Sequence, residues 1–157
     1  MIQCFNLVTY CNKMEIKYLN KTDKTKIVAV QAKSFPEGIV ECFESLYKVF
    51  KPEDNRRVFG LSRPERGTII YKAAAEVIHL NDLNFGFEEM MIPPGKYVYI
   101  EVADFMNNHS QIGAAFELLL KEPGIDGAGY CLEEYYNSSN VRCMVRIAPA
   151  KPHNHGR

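Results

Sequence analysis

No sign of charge dominates this sequence. Nineteen lysines and arginines offset nineteen aspartates and glutamates, so the 157 residues carry a formal net charge of zero. Without a positive field there is no general attraction to phosphate backbones or anionic lipid, and direct nucleic-acid binding is not expected. The basic residues Arg56, Arg57, Arg63 and Arg66 read, in a neutral chain, as a solvated loop face. No apolar run approaches the roughly 18 residues that suggest a membrane helix, so no membrane partner is expected. Cys4, Cys11, Cys42, Cys131 and Cys143 are odd in number, widely spaced and without a C-x-x-C pair. They read as reduced small hydrophobes of a cytoplasmic protein. The opening Met1-Ile2-Gln3-Cys4-Phe5 lacks the basic segment of a secretion signal, in keeping with that location.

Recognisable catalytic and cofactor motifs are equally scarce. The glycines of 124–129 lack G-x-G-x-x-G spacing and precede a strand, so they read as a helix-to-strand connection. His79 and His109 stand far apart with no serine or cysteine motif beside either, and His153 and His155 are an isolated pair in a polar tail. No cofactor, no metal site and no catalytic residue is therefore expected. The thirteen residues before Met14 are too few for a helix-turn-helix.

What the sequence does contain is a hydrophobic fraction of 46%, enough for one domain with a core of ordinary size. Patterned residues begin at Met14-Glu15-Ile16-Lys17-Tyr18-Leu19 and end near Ala148. The expected organisation is an N-terminal extension at 1–13, a folded unit at 14–148 and a flexible tail at 149–157. Within the folded unit the same order of signals occurs twice. Strands at 15–20 and 26–32, a helix at 36–50 and strands at 57–62 and 68–78 are followed by strands at 87–92 and 96–102, a helix at 107–121 and strands at 128–136 and 141–148. The predicted fold is α+β, with duplicated β-α-β-β units forming a curved, mainly antiparallel sheet. Both helices lie on one face and leave the other free.

Val40, Phe43, Leu46, Tyr47 and Phe50 form one apolar stripe, and Ile112, Ala115, Phe116, Leu119 and Leu120 the other. Strand alternation then assigns the faces. Tyr71, Ala73 and Ala75 point to the helices, as do Val98, Ile100 and Val102, and Val141, Cys143 and Val145. Lys72, Ala74, Glu76, Tyr97, Tyr99, Glu101, Arg142, Met144 and Arg146 point away. With Leu132 placed against the helices, Glu133 and Tyr135 join Tyr97 and Tyr99 on the free face. Aromatic rings beside a carboxylate suit a flat or cationic organic molecule.

The stretch Met91-Ile92-Pro93-Pro94-Gly95-Lys96-Tyr97, the helix Ile112 to Leu120, the run Leu132-Glu133-Glu134-Tyr135-Tyr136-Asn137 and the strand Tyr71 to Val77 follow one another in an order found elsewhere. Over 14–148 the sequence resembles the GyrI-like, or bacterial effector-binding, domains of some transcription activators and stand-alone proteins. The resemblance implies two pseudo-symmetric halves with a groove between them for hydrophobic, often cationic, drugs and metabolites. It also implies relatives that inhibit gyrase or hydrolyse reactive cyclopropane compounds. Where many members carry a glutamate in the final strand, this chain has Met144, flanked by Arg142 and Arg146.

The expected function is thus that of a stand-alone binder of a hydrophobic or aromatic small molecule, with Tyr97, Tyr99, Glu133, Tyr135, Met144, Ala74, Glu76 and Arg142 as ligand-binding residues. A hydrolase in the same groove and a protein-binding, gyrase-inhibitor-like regulator with a protein partner are the alternatives. Arg142 or Arg146 near Glu133 would lower its pKa, so a binding role is expected in place of robust turnover.

Overall fold

Eight segments alternate strongly enough to pair as strands, and in the computed structural model, which describes residues 14–152, they do. The expected extension at 1–13 and the histidines His153 and His155 lie outside the described residues. In chain order the elements are β1 (Lys17–Lys21), β2 (Thr25–Gln31), α1 (Ile39–Tyr47), β3 (Val58–Glu65) and β4 (Thr68–Glu76), then β5 (Glu88–Ile92), β6 (Gly95–Val102), α2 (His109–Leu119), β7 (Cys131–Tyr135) and β8 (Val141–Arg146). All pairings are antiparallel, in one sheet of order β1-β6-β8-β7-β3-β4-β2-β5.

The element order β-β-α-β-β occurs twice, and the leading strands change places. Strand β1 pairs with β6 and β5 pairs with β2, so each half covers the outer strand of the other. Strands β3 and β7 join the halves, with Leu61 opposite Leu132 and Gly60 opposite Glu133. Helix α1 packs on β2 and β4, and α2 on β6 and β8. Both therefore lie on one face, as the α+β reading expects, and the β3–β7 seam runs between them.

Each helix is shorter than its apolar pattern suggested. Helix α1 starts only at Ile39, with Pro36 in the preceding turn, where its carbonyl accepts from the Ile39 N–H at 3.2 Å. Its buried centre is Cys42 and Leu46, whereas Val40, expected in the stripe, is 68% exposed. Helix α2 buries Ala115 and Leu119 and leaves Leu120 exposed. Fully burying side chains such as Leu46 and Leu119 contributes about 1.5–3 kcal/mol each, which is what holds these short helices to the sheet.

The face turned away from the helices is not free, contrary to the expectation from alternation. Side chains from all eight strands meet there in one apolar cluster that includes Leu19, Ile27, Phe59, Leu61, Ala74, Ile92, Tyr97, Leu132 and Met144. The sheet curls into a half-barrel around them, bringing Leu19 of β1 and Ile92 of β5 into the same core. Gly95 assists the turn into β6: its φ of 134° suits glycine, and a Cβ there would press on the Arg146 guanidinium, which donates to the Pro94 carbonyl at 2.9 and 3.1 Å.

Candidate ligand-binding site

Two adjacent glutamates in the central strand β7 must point to opposite faces of the sheet. Glu134 enters the half-barrel and Glu133 faces the helices, beside Cys131 and Tyr135. This reverses the predicted assignment of β7, which placed Glu133 and Tyr135 with Tyr97 and Tyr99. The apolar Leu132 goes into the half-barrel core because that face is buried as well.

Glu133 sits where the helices leave the sheet uncovered. Gly60 lies opposite it on β3, and a Cβ at Gly60 would fall onto both the Glu133 carboxylate and the Tyr71 hydroxyl, so the missing side chain makes the space they share. Tyr135 Oη donates to Glu133 Oε1 at 2.9 Å, and the Tyr71 hydroxyl lies beside the carboxylate, close enough to lower its pKa. Around them stand aromatic rings. Phe35 stacks on Tyr71 at 5.8 Å between centroids, and Phe43 meets Tyr71 and Tyr135 edge-on at 6.2 and 5.8 Å. Phe105 meets Tyr135 at 5.0 Å, and Tyr47 stacks on Phe43 at 6.2 Å.

Glu133 is 7% exposed, and among the described residues no lysine or arginine is within salt-bridge distance of it. Burial raises its pKa, while the two tyrosine hydroxyls and, at longer range, His109 act in the opposite direction without reversing the shift. Arg142 and Arg146, expected to lower it, are on the other face. The same burial, reinforced by Glu133, pushes the Tyr71 and Tyr135 hydroxyls well above their ordinary range, so both remain donors. Cys131, on the same face, is pushed up to about 11 and is not an activated thiol. The site is a carboxylate in an aromatic cage without a permanent counterion.

The other predicted residues belong to the half-barrel. Tyr97, Ala74 and Met144 are at most 4% exposed and fill its core, with Tyr97 Oη donating to the Pro93 carbonyl at 2.7 Å. Tyr99 is half-buried beside them and lies under the Arg142 guanidinium at 5.0 Å. Glu76 accepts two hydrogen bonds from the Arg57 guanidinium, at 2.7 and 3.0 Å, and one from its backbone N–H at 3.3 Å. Arg142 bonds Glu134 and Glu101 at 3.2 and 3.4 Å. The predicted set of eight is thus divided by the sheet, two residues on one side and six on the other.

Arg56, read as part of a solvated face, is buried against Phe50 and bonds Asp82 at 2.9 Å. It lines a cavity of about 360 Å³ with Phe50, Ile78 and Phe85. The cavity's charges are paired, Arg56 with Asp82 and Asp54, although Arg56 Nε has no hydrogen-bond partner among the described residues. Burial alone would raise the Asp82 pKa, yet hydrogen bonds from Arg56 and from the His79 and Ile78 N–H groups hold it at about 2. Glu133, by contrast, is a buried carboxylate with no salt bridge among the described residues.

No family model matches the sequence, and no curated protein matches it significantly. Solved structures do match. An integron cassette protein from the mobile metagenome of Vibrio cholerae superimposes with a TM-score of 0.61 at 17% identity, over 86% of this chain and 95% of its own. The protein SAV2435, bound to tetraphenylphosphonium, gives 0.58 at 10% identity over 91% and 98%. A hydrolase from Listeria innocua gives 0.56 at 11% identity over 88% and 94%. The chain shares its fold with these proteins.

Sequence reasoning missed Tyr71, Phe43, Phe105, Phe35, Tyr47 and Gly60 as parts of the site. Tyr71 was correctly turned toward the helices but read as packing. A usable signal was present: a central strand with consecutive glutamates must aim one of them under the helices.

Proposed function

We propose that this protein is a small-molecule-binding module of the GyrI-like, effector-binding type, and that its ligand is a lipophilic aromatic cation held at Glu133. The observation that carries this reading is a buried carboxylate with a tyrosine donor, a second tyrosine hydroxyl beside it, an aromatic surround and no salt-bridge partner among the described residues. A soft, weakly hydrated cation supplies the missing charge, loses little on desolvation and interacts with the ring faces. A hydrophilic ammonium or a metal ion would lose its hydration shell for one carboxylate. The tetraphenylphosphonium bound by SAV2435, on the same fold, is a molecule of this class.

Reaching Glu133 requires side chains to move. Phe35 and Tyr47, 42% and 41% exposed, form the outer layer of the cage and are the ones free to swing aside. Three probes of one shape separate charge from hydrophobicity: tetraphenylphosphonium, tetraphenylborate and neutral triphenylphosphine oxide. The cation is expected to raise the melting temperature by mass action, the anion and neutral compound much less. Equal shifts for all three would leave Glu133 without a role in recognition.

A raised carboxylate pKa also suits a general acid or base, and one similar structure is a hydrolase. Turnover of electrophilic cyclopropane compounds that vanishes in Glu133→Gln would favour that second reading.

A further inference from the structure

On the opposite face of the sheet, the half-barrel contains a cavity of about 180 Å³ near one end. Its floor is apolar, formed by Leu19, Phe59, Ile92, Leu132 and Met144, and its rim carries Arg57, Arg142 and Glu134. The two guanidiniums approach Glu134 from either side, Arg57 Nη1 at 3.5 Å from Oε1 and Arg142 Nη1 at 3.2 Å from Oε2. Arg57 is otherwise taken by Glu76. Arg142 is held more loosely: Glu134 and Glu101 each take one bond from it, at 3.2 and 3.4 Å, and its Nε is buried with no hydrogen-bond partner among the described residues. The Arg142 guanidinium is held in place between the rings of Tyr99 and Tyr136, at 5.0 and 5.1 Å. A buried, preoriented donor without an acceptor, at the rim of an apolar cavity, calls for a ligand that brings the acceptor. Lys21, also in the lining, is paired with Asp23 at 3.3 Å, so among the described residues the donor left over at this cavity is Arg142 Nε alone.

We infer that the half-barrel is a second binding site, for a small carboxylic acid with a compact apolar body, whose carboxylate is received by Arg142. The volume sets the size. A cavity of about 150 Å³ accommodates one benzene ring, so a single six-membered ring or a branched chain of similar bulk fits here. The charge selection is opposite to that proposed at Glu133, and the two sites are separated by the thickness of the sheet. This inference does not rest on the cation reading.

The test is a methyl-detected NMR titration of the full chain with benzoate, with benzamide and benzylamine as neutral and cationic controls. Benzoate is expected to move the methyl signals of Met144, Leu132 and Ile92 saturably, and the two controls at least tenfold more weakly. Arg142→Met is expected to weaken benzoate at least tenfold, whereas Glu133→Gln leaves it unchanged. Loss of benzoate binding in Glu133→Gln, equal binding of benzamide, or shifts confined to methyls under the helices would overturn the inference. If Arg142→Met does not fold, the wild-type titration decides alone: saturable shifts at Met144 and Leu132 selective for benzoate support the site, and their absence contradicts it.

Discussion

Glu133 and Glu134 are neighbours in the same strand, 7% and 6% exposed, yet their surroundings differ in charge pairing. Glu134 is bonded by two guanidiniums and ties Arg57, just before β3, to Arg142 of β8. Glu133 accepts from the neutral Tyr135 hydroxyl, with no salt bridge among the described residues, and burial raises its pKa. The difference teaches how a curled sheet can treat adjacent carboxylates differently: the half-barrel face pairs Glu134 with two guanidiniums, and the helix face leaves Glu133 without a salt bridge among the described residues. A buried pair is costly to break, whereas a buried unpaired carboxylate is itself a cost to stability that a counterion relieves.

The largest expected effect breaks the paired side. Glu134→Gln leaves Arg57 and Arg142 facing each other and is expected to destabilise the fold by about 3 kcal/mol, at the low end for a buried pair because both arginines are partly exposed. Denaturant unfolding measures it. Next is Gly60→Ala, which pushes a methyl group into the Tyr71–Glu133 contact. It should cost about 2 kcal/mol in the same assay and abolish ligand binding at Glu133.

Glu133→Gln should move stability the other way at neutral pH. A carboxylate whose pKa is raised on folding gives its full stabilisation below the unfolded value, near 4.3, and loses it as pH rises through the folded value. Wild type should therefore lose stability over that window, and the glutamine variant should lose less; parallel curves would remove the assigned burial cost. The smallest effect sharpens the comparison. Tyr135→Phe deletes one hydrogen bond to Glu133, costs about 1 kcal/mol and raises the Glu133 pKa further, which a carboxyl-carbon NMR titration follows.

Much of the architecture was legible because strands and helices announce themselves locally. Each of the eight strands coincides with an expected one, and Tyr71, Ala73 and Ala75 point to the helices as alternation required. The face of β7 was not legible. Alternation assigns a face only when one side is polar, and β7 is buried on both, so Leu132 was as much at home in the half-barrel as under a helix. The cage also depends on distance in sequence: Phe43, Tyr71, Phe105 and Tyr135 belong to four different parts of the chain and meet only through packing. Gly60 gave no local sign of its role, because what it provides is space for side chains of β4 and β7.

The most direct measurement is calorimetric titration of tetraphenylphosphonium into wild type, Glu133→Gln and Glu134→Gln, each at a temperature where it is folded. The account predicts that Glu133→Gln loses at least tenfold in affinity, while folded Glu134→Gln binds within about threefold of wild type. Affinity retained in Glu133→Gln, or lost only in Glu134→Gln, would place recognition on the other face of the sheet and contradict it.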